Sequence, residues 1–362
     1  MRLENHMYRM PAEWTKHECT FMEWPVSDKD WKGTIHQARI AYAEIARSIA
    51  RFEPVIMLAL PELADEARRM CGPGVNILKM RHDDSWMRDN GPTFILSHNN
   101  MLAGINWKFN AWGGKHYPWD LDDLVAPTLL KLLDIPCFDA PIVLEGGSIH
   151  VDGEGTLLTT EECLLNPNRN PHLSKHEIEE ILKQYLGVEK VIWLKKGIYG
   201  DETDGHVDNV ACFVRPGSVM IQCCSDRGDP NYDISRENTD ILRRERDAKG
   251  RPIEIITVDQ PPETHFNGKR LPLSYINFYF VNGGIIMPVF GGHCSDTDRK
   301  AEETFKRTFP DRKIVTVNGL PIVKGGGCIH CITQQMPAGY KNKVNWGNIY
   351  EEGNAGRNTN EL

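Results

Sequence analysis

The 362-residue sequence has no long apolar run, no excess of positive charge and no low-complexity segment. The longest apolar run near its start covers residues 55–60, which is far too short to cross a bilayer. Residues 1–6 contain no signal-peptide core, so we expect a cytoplasmic protein without a membrane partner. The net charge of -8 argues against a nucleic-acid partner, which usually requires a basic face, and it agrees with a small cationic substrate.

The cysteines do not form the pattern of a zinc site or a haem attachment. Ten cysteines are present, and without an export signal we expect most of them to be reduced core residues. Cys328 and Cys331 have C-x-x-C spacing, but a four-ligand zinc site needs a second pair, and the adjacent Cys223 and Cys224 have the wrong spacing. A haem attachment would read C-x-x-C-H. The sequence therefore predicts no metal and no cofactor.

Helical patterns alternate with short strand patterns along the whole chain. The predicted helices cover residues 33–52, 121–134, 175–186, 235–249 and 297–308. The predicted strands cover residues 55–60, 188–194, 210–214, 219–222, 253–258, 278–281, 284–289 and 314–317. Ser174 and Glu177 form a capping box and Gly187 ends the third helix, whereas Pro127 weakens the second. The repeated helix units predict an α/β ring that gathers its loops at the centre. No linker divides residues 1–362, so we expect one domain with a peripheral tail at 338–362.

A glycine run near the C-terminal end precedes two thiols. Gly325 to Gly327 free the backbone from the usual φ restriction and allow a ligand to approach closely. Either Cys328 or Cys331 is then a candidate nucleophile at the floor of a pocket. A redox or metal pair and two inert cysteines are the alternatives, while a phosphate loop fits poorly because no Lys-Ser/Thr follows the glycines.

Two polar segments supply candidate partners for a thiol. His206 and Asp208 are two residues apart, and on an extended segment their side chains point to the same side. Asp201, Glu202 and Asp204 crowd the same stretch. The simpler interpretations are a histidine with satisfied hydrogen bonds and, for Asp201, a solvated loop.

A tryptophan and a glutamate stand out elsewhere in the chain. Trp86 lies among carboxylates that include Asp89, and an indole face beside carboxylates suits a planar cation. Glu145 follows the apolar residues 141–144 and precedes a Gly-Gly turn. A core aromatic and a turn cap are the alternatives. Together, a cysteine, a histidine and several carboxylates are the groups needed for nucleophilic attack on a cationic carbon.

Six motifs occur in order between about residues 8 and 337. They read MPAEW at 10–14, WMRDNGP at 86–92, EGGS at 145–148, NPNRNP at 166–171, GDETDGHVD at 200–208 and GGGCIHCITQQ at 325–335. Together they resemble the agmatine deiminases, guanidine-modifying enzymes related to the bacterial peptidylarginine deiminases. The resemblance implies a five-bladed, pseudo-symmetric α/β propeller of the pentein-like type, and a homo-oligomeric cytoplasmic hydrolase of putrescine biosynthesis that needs no cofactor. Cys328 departs from the family, which usually has Asn or Gly there.

The resemblance also implies a role for each motif residue. Asp89 and Asp208 hold the guanidinium through bidentate hydrogen bonds, which match this planar group. Cys331 attacks its carbon and forms an amidino-cysteine. His206 protonates the departing ammonia and later deprotonates water, while Glu145 orients His206.

At the far end of agmatine, the resemblance places groups that recognise its primary ammonium. Glu202 and Asp204 pair with this ammonium, while Trp86 and Gly327 contact the substrate's chain. The products are N-carbamoylputrescine and ammonia. Two alternatives stay open: a deiminase of free or peptidyl arginine, with Arg88 or Arg169 meeting the carboxylate, and a non-catalytic propeller that binds a partner.

Overall fold

A computed structural model describes residues 7–339 of the chain. All but the first two residues of the predicted tail at 338–362 lie outside the described residues. The strands are β1 (Tyr8–Arg9), β2 (His17–Glu23), β3 (Val55–Ala59), β4 (Val75–Lys79), β5 (Thr93–Ser97), β6 (Leu102–Lys108), β7 (Cys137–Val143), β8 (His150–Val151), β9 (Thr156–Thr160), β10 (Lys190–Leu194), β11 (Ala211–Arg215), β12 (Ser218–Cys223), β13 (Glu254–Asp259), β14 (His265–Phe266), β15 (Lys269–Arg270), β16 (Tyr279–Val281), β17 (Gly284–Val289), β18 (Lys313–Asn318) and β19 (Gln334–Pro337).

The helices lie between these strands. They are α1 (Asp28–Trp31), α2 (Ile35–Ile49), α3 (Ala64–Cys71), α4 (Met87–Asn90), α5 (Ala111–Gly114), α6 (Val125–Leu132), α7 (Glu161–Leu164), α8 (Lys175–Leu186), α9 (Asn231–Arg244), α10 (Ser295–Thr308) and α11 (Leu320–Val323). Short 3-10 helices cover Gly146–Ser148, Val207–Asn209 and Gly292–Cys294. None of the helices within residues 7–339 is long and apolar enough to cross a membrane.

Within the described residues, five sheets of three or four strands share one pairing pattern. In each, a middle strand pairs antiparallel with one neighbour and parallel with the other. The five triplets are β5–β6–β7, β8–β9–β10, β11–β12–β13, β16–β17–β18 and β19–β2–β3. Each parallel step crosses over through at least one helix, as parallel pairing requires. The predicted α/β fold with repeated helix units is therefore confirmed.

Two of the sheets carry additional strands, and one joins distant parts of the chain. The first sheet also contains β1, which pairs antiparallel with β5, and β4 extends the last sheet beside β3. β19 pairs antiparallel with β2, with Gln335 opposite Thr20. This pairing places the last strand of the described chain beside the second one, in a single sheet.

The predicted helices agree with the structure to different degrees. α8 coincides with the predicted residues, with the capping box between Ser174 and Glu177 and with Gly187 in the left-handed region at φ 63°. α6 begins at Val125, so Pro127 falls in its first turn, where a missing N–H leaves no hydrogen bond unmade. α9 begins four residues before the predicted start and ends at Arg244, because the chain becomes extended at Glu245. α3 was not predicted, since it has only eight residues.

The buried face of α2 links the core to the functional segments. Ala38, Tyr42 and Ile45 have the predicted helical spacing and are at most 1% exposed. The hydroxyl of Tyr42 donates a 2.9 Å hydrogen bond to the carbonyl of Ser85, next to Trp86. The core thus fixes the segment that leads into α4.

Candidate active site

One polar residue stands shortly before the first strand of each of the five triplets. Asp89 precedes β5, Glu145 precedes β8, Asp208 precedes β11, Asn277 precedes β16 and Cys331 precedes β19. The repeated architecture thus delivers one functional group from each sheet to a common point. The backbone N–H of Arg88 donates to the carbonyl of Cys331 at 3.1 Å and ties the first of these segments to the last.

Cys331 lies at the floor of a narrow cavity. The residues lining the cavity are Trp86, Asp89, Trp112, His116, Glu202, Thr203, Gly325, Gly326, Gly327 and Cys331. The Sγ of Cys331 lies 3.5 Å from Oδ2 of Asp208, and Nδ2 of Asn277 donates to it at 3.2 Å. Burial raises the pKa of Cys331 well above its usual value, and the charges of Asp208 and Asp89 add to the increase. Without a ligand, the thiol is therefore protonated at neutral pH.

Cys328 faces a different part of the structure. It does not line the cavity, and its Sγ packs so closely against Gly319 that a Cβ there would lie 2.8 Å from the sulfur. Burial raises the pKa of Cys328 to about 12. Of the two candidate thiols, only Cys331 is therefore open to a ligand in the cavity.

His206 lies between two carboxylates of the site and does not itself line the cavity. Its Nδ1 is 3.8 Å from Oδ1 of Asp89 and its Nε2 is 3.5 Å from Oε2 of Glu145. Burial alone would lower the pKa of His206, but Asp89, Cys163 and Glu145 raise it well above the usual value. These neighbours therefore favour the imidazolium form of His206. The prediction that His206 and Asp208 share an extended segment is wrong, because Val207–Asn209 forms a 3-10 helix.

Glu145 is held by Arg169, one of the two arginines considered for a substrate carboxylate. Nε of Arg169 donates to Oε1 of Glu145 at 2.7 Å, and its other nitrogens bind Asp204 and the carbonyl of Thr203. Burial acts to raise the pKa of Glu145, but Arg169 and His206 outweigh it and hold that pKa below its usual value. Arg169 is thus a fully engaged partner of Glu145 and is not free to receive a substrate carboxylate.

Asp89 accepts hydrogen bonds from two donors among residues 7–339. Its Oδ1 accepts from the backbone N–H of Gly147 at 3.0 Å and its Oδ2 accepts from the indole of Trp112 at 2.8 Å. Burial raises the pKa of Asp89 to about 6, with the charge of His206 opposing the increase. Gly147 is essential to this packing, since a Cβ there would lie 2.6 Å from Nδ1 of His206 and 2.9 Å from oxygens of both Asp89 and Asp208.

Aromatic side chains form one wall of the cavity. The indole of Trp86 donates to Oδ2 of Asp84 at 2.7 Å and stacks on Trp31 with ring centroids 5.5 Å apart. Trp112 meets Trp86 edge-on at 6.4 Å. A Cβ on Gly327 would lie 2.5 Å from the ring of Trp86, so a glycine is needed where the glycine run passes the tryptophan. The flat indole surfaces suit the aliphatic part of a narrow substrate.

The two acidic residues predicted for the far end of the pocket have different positions. Glu202 lines the cavity, and its side chain is 38% exposed, within 3.7 Å of Lys32 and 3.8 Å of Lys269. Asp204 does not line the cavity. Its carboxylate is bound by Lys115 at 2.6 Å and by Arg169 at 3.0 Å, and it thereby fixes the loop that carries Glu202.

Three residues of the site were not predicted from the sequence. Asn277 has no recognisable motif around it. Trp112 reaches Asp89 because four consecutive residues, Ala111–Gly114, have positive φ, and only the two glycines signal this turn. His330 directly precedes Cys331 and binds Asp208 at 2.9 Å. Its position beside the thiol was the signal that could have identified it.

One group within the described residues has the geometry to hold a metal ion. Ligand atoms of Glu145, Cys163 and His206 all lie within 4.8 Å of one another. Oε1 of Glu145 is already engaged by Arg169, which leaves Oε2 facing His206. The Glu145 and Cys163 side chains also contribute to the raised pKa of His206.

The fold and the site define an α/β protein with a buried thiol in a carboxylate-lined, tryptophan-walled cavity. The chain belongs to the Porphyromonas-type peptidyl-arginine deiminase family, whose model matches residues 9–337. The predicted resemblance is thereby confirmed.

Individual relatives are similar over almost their whole length. Agmatine deiminase of Stutzerimonas stutzeri (strain A1501) is 46% identical over 358 residues, covering 91% of this chain and 96% of the relative. The structure of an Enterococcus faecalis agmatine deiminase, described as catalysing its reaction, has a TM-score of 0.87 and 38% identity over 91% of this chain and 96% of that one. A cysteine-to-serine variant of the C. jejuni agmatine deiminase, solved with substrate bound, has a TM-score of 0.86 and 28% identity over 94% and 99% of the two chains.

Proposed function

We propose that this protein hydrolyses agmatine to N-carbamoylputrescine and ammonia through a covalent amidino-cysteine. One observation carries the proposal: the thiol of Cys331, at the end of the cavity, lies 3.5 Å from Asp208, and Asp89 lines the same cavity. A guanidinium between these carboxylates would present its carbon to the sulfur. The names of the related proteins, and the substrate bound to the C. jejuni enzyme, support the choice of agmatine.

Substrate binding activates the nucleophile in this mechanism. The charges of Asp89 and Asp208 help to keep the pKa of Cys331 high, and a bound guanidinium offsets them. The thiol then loses its proton to solvent and the thiolate attacks the guanidinium carbon, which gives a neutral tetrahedral adduct. The substrate thus promotes the ionisation that its own reaction requires.

His206 transfers the protons of the two half-reactions. As an imidazolium it gives a proton to one amino group, which leaves as ammonia, and the cationic amidino-cysteine remains. The neutral His206 then takes a proton from water while the water oxygen attacks the amidino carbon. Collapse of that adduct releases the urea product, and its remaining proton returns to the Cys331 sulfur. Glu145, 3.5 Å from Nε2, stabilises the imidazolium that both steps need.

The direct test is a product assay on the purified chain. Incubation with agmatine should release ammonia and N-carbamoylputrescine in equal amounts, measured by a coupled ammonia assay and by mass spectrometry. Putrescine serves as the control, because it has the same chain and ammonium but no guanidinium. Absence of either product from agmatine would contradict the proposed reaction.

The two alternatives are less well supported by the geometry. A deiminase of arginine needs a cation for the carboxylate, but Arg88 is 1% exposed and bound to Glu13 and Gln335, and Arg169 is engaged by Glu145. A non-catalytic scaffold has no use for ionisable groups buried around a thiol, because burying charge costs free energy.

We further propose that the five triplets are the blades of one propeller and that the described residues form a single domain. The shared pairing pattern supports this arrangement, as does the pairing of β19, the last described strand, with β2. One functional residue before each triplet is what a pseudo-five-fold ring would produce.

The loss of kcat/KM for agmatine at low pH should reflect protonation of Asp89. We expect kcat/KM for agmatine to fall as the pH drops through about 6, because the pKa of Asp89 is raised to about 6 and the protonated carboxyl no longer pairs with a guanidinium. The measurement is kcat/KM between about pH 5 and 8, with circular dichroism at each pH to show that the fold persists. A flat profile across that range would contradict this assignment.

A further inference from the structure

We propose that His330 is a positioning residue for Asp208: as an imidazolium held between Glu13 and Asp208, it directs one oxygen of Asp208 towards the guanidinium site. The inference rests on the proposed function, in which Asp208 binds that group. It adds Glu13, which lies far from Cys331 in the chain, to the residues that the reaction depends on.

Both ring nitrogens of His330 face carboxylate oxygens. Nδ1 lies 2.9 Å from Oδ2 of Asp208 and Nε2 lies 2.8 Å from Oε1 of Glu13, and all three side chains are at most 4% exposed. An ionised carboxylate only accepts hydrogen bonds, and a neutral imidazole has a single N–H to donate. Both contacts are therefore satisfied together only when His330 carries two N–H groups and a positive charge.

The charged surroundings of His330 favour that state. Four titratable or charged groups face it: Glu13, Asp208, Arg88 and His150. Burial and Arg88 act to lower the pKa of His330, but Glu13 and Asp208 outweigh them and the pKa lies above its ordinary value. In turn, burial acts to raise the pKa of Asp208, and His330 is the main group that lowers it.

The consequence for Asp208 is an asymmetric carboxylate. Oδ2 accepts from His330 and lies near the Cys331 sulfur, whereas Oδ1 is buried and has no hydrogen-bond partner within residues 7–339. Oδ1 is therefore the oxygen available to a guanidinium N–H. The backbone N–H of His330 donates to Oδ1 of Asn277 at 2.9 Å, so the ring is held from the main chain as well.

The test exploits the charge of Glu13. In Glu13→Gln the side chain keeps its shape and an acceptor and gains an amide donor that can pair with a neutral ring, while the imidazolium loses one of its two counter-charges. The neutral ring still offers Nδ1–H to Asp208, but as an uncharged and therefore weaker hydrogen bond. His330 should then titrate within the assay range, and two pH units above its pKa only about 1% of the protein retains the imidazolium. We expect the ratio of wild-type to Glu13→Gln kcat/KM for agmatine to rise by about tenfold or more between about pH 6.5 and 9. A ratio that does not change with pH would overturn the inference.

A double variant assigns the new pH dependence to His330. In Glu13→Gln/His330→Asn, the asparagine amide can donate to Asp208 in place of Nδ1 but does not titrate, so the ratio to wild type should be constant across the same range. A purely structural loss would reduce activity equally at every pH in both variants. Persistence of the alkaline loss in the double variant would also overturn the proposal.

A second measurement needs no catalysis. Ring ¹⁵N chemical shifts of the wild-type protein, with the His330 signal assigned by its loss in His330→Asn, should show an imidazolium at about pH 7.5, and a neutral ring there would refute the proposal even if Glu13→Gln does not fold. A wild-type protein that is inactive on agmatine would instead count against the proposed function, so the two failures are distinguishable.

Discussion

Replacing Cys331 by serine is expected to lower kcat for agmatine by at least about 10³-fold, the scale typical of a lost nucleophile. The serine hydroxyl occupies the same buried position beside Asp208 but does not ionise near neutral pH, even with a guanidinium bound. KM should change little, because Asp89 and Asp208 remain in place. The measurement is steady-state kinetics on the purified variant.

Cys328→Ser is the matched control, since it makes the same chemical change three residues away. In the wild type the Cys328 thiol packs against Gly319 and does not line the cavity, so Cys328→Ser should retain most of the activity. Comparable losses from the two substitutions would indicate a redox or metal pair instead of a single nucleophile.

Trapping the intermediate gives an independent readout. Both thiols fall between Lys324 and Lys341 and therefore share one tryptic peptide. Acid-quenched reactions should be analysed in the Cys328→Ser background, where the amidino adduct can reside only on Cys331 within that peptide. An unmodified peptide during turnover would count against covalent catalysis.

The candidate site residues that the sequence identifies lie inside short motifs. The structure brings Asp89, Glu145, His206, Asp208 and Cys331 together, and each belongs to a motif that includes a glycine close by in the chain. The glycines are informative for a physical reason. A Cβ at Gly147 or at Gly327 would lie within 3.0 Å of side-chain atoms of the site. Any residue other than glycine at these two positions would therefore displace those side chains.

Asn277 and Trp112 lie outside the recognised motifs, so no sequence pattern identifies them. Asn277 donates to the Cys331 thiol and lies in an apolar segment of the sequence. Its place in the site becomes visible only in the structure, where it shortly precedes β16, the first strand of the fourth triplet. Trp112 depends on a run of positive φ values that sequence patterns do not encode. Asp204 is the opposite case: the family resemblance implies contact with the substrate ammonium, but in the structure its carboxylate binds Lys115 and Arg169 instead.

The choice of substrate depends on what lies at the open end of the cavity. Arginine differs from agmatine in carrying a carboxylate, which would have to enter beside Glu202. None of the described residues that line this cavity is Lys or Arg. Lys32 and Lys269 line the adjoining outer cavity, where each of them is paired with Glu202. Placing a carboxylate there without a partner costs free energy, and sites built on polar complementarity discriminate by about 10⁴-fold or more.

We therefore expect kcat/KM for agmatine to exceed that for arginine by at least about 10³-fold.

Glu202→Gln should reduce this ratio, mainly by lowering kcat/KM for agmatine. Because the side chain of Glu202 is 38% exposed and lies near Lys32 and Lys269, its pair with the substrate ammonium should contribute no more than about 1 kcal/mol, and the ratio should fall by about fivefold or less. Glu263→Gln is the matched control, since Glu263 lines the adjoining outer cavity and not the inner one. In Glu263→Gln the ratio of the two kcat/KM values should equal that of the wild type, because Glu263 does not line the inner cavity. Equal efficiency on the two substrates would refute the choice of agmatine while leaving the thiol chemistry of Cys331 standing.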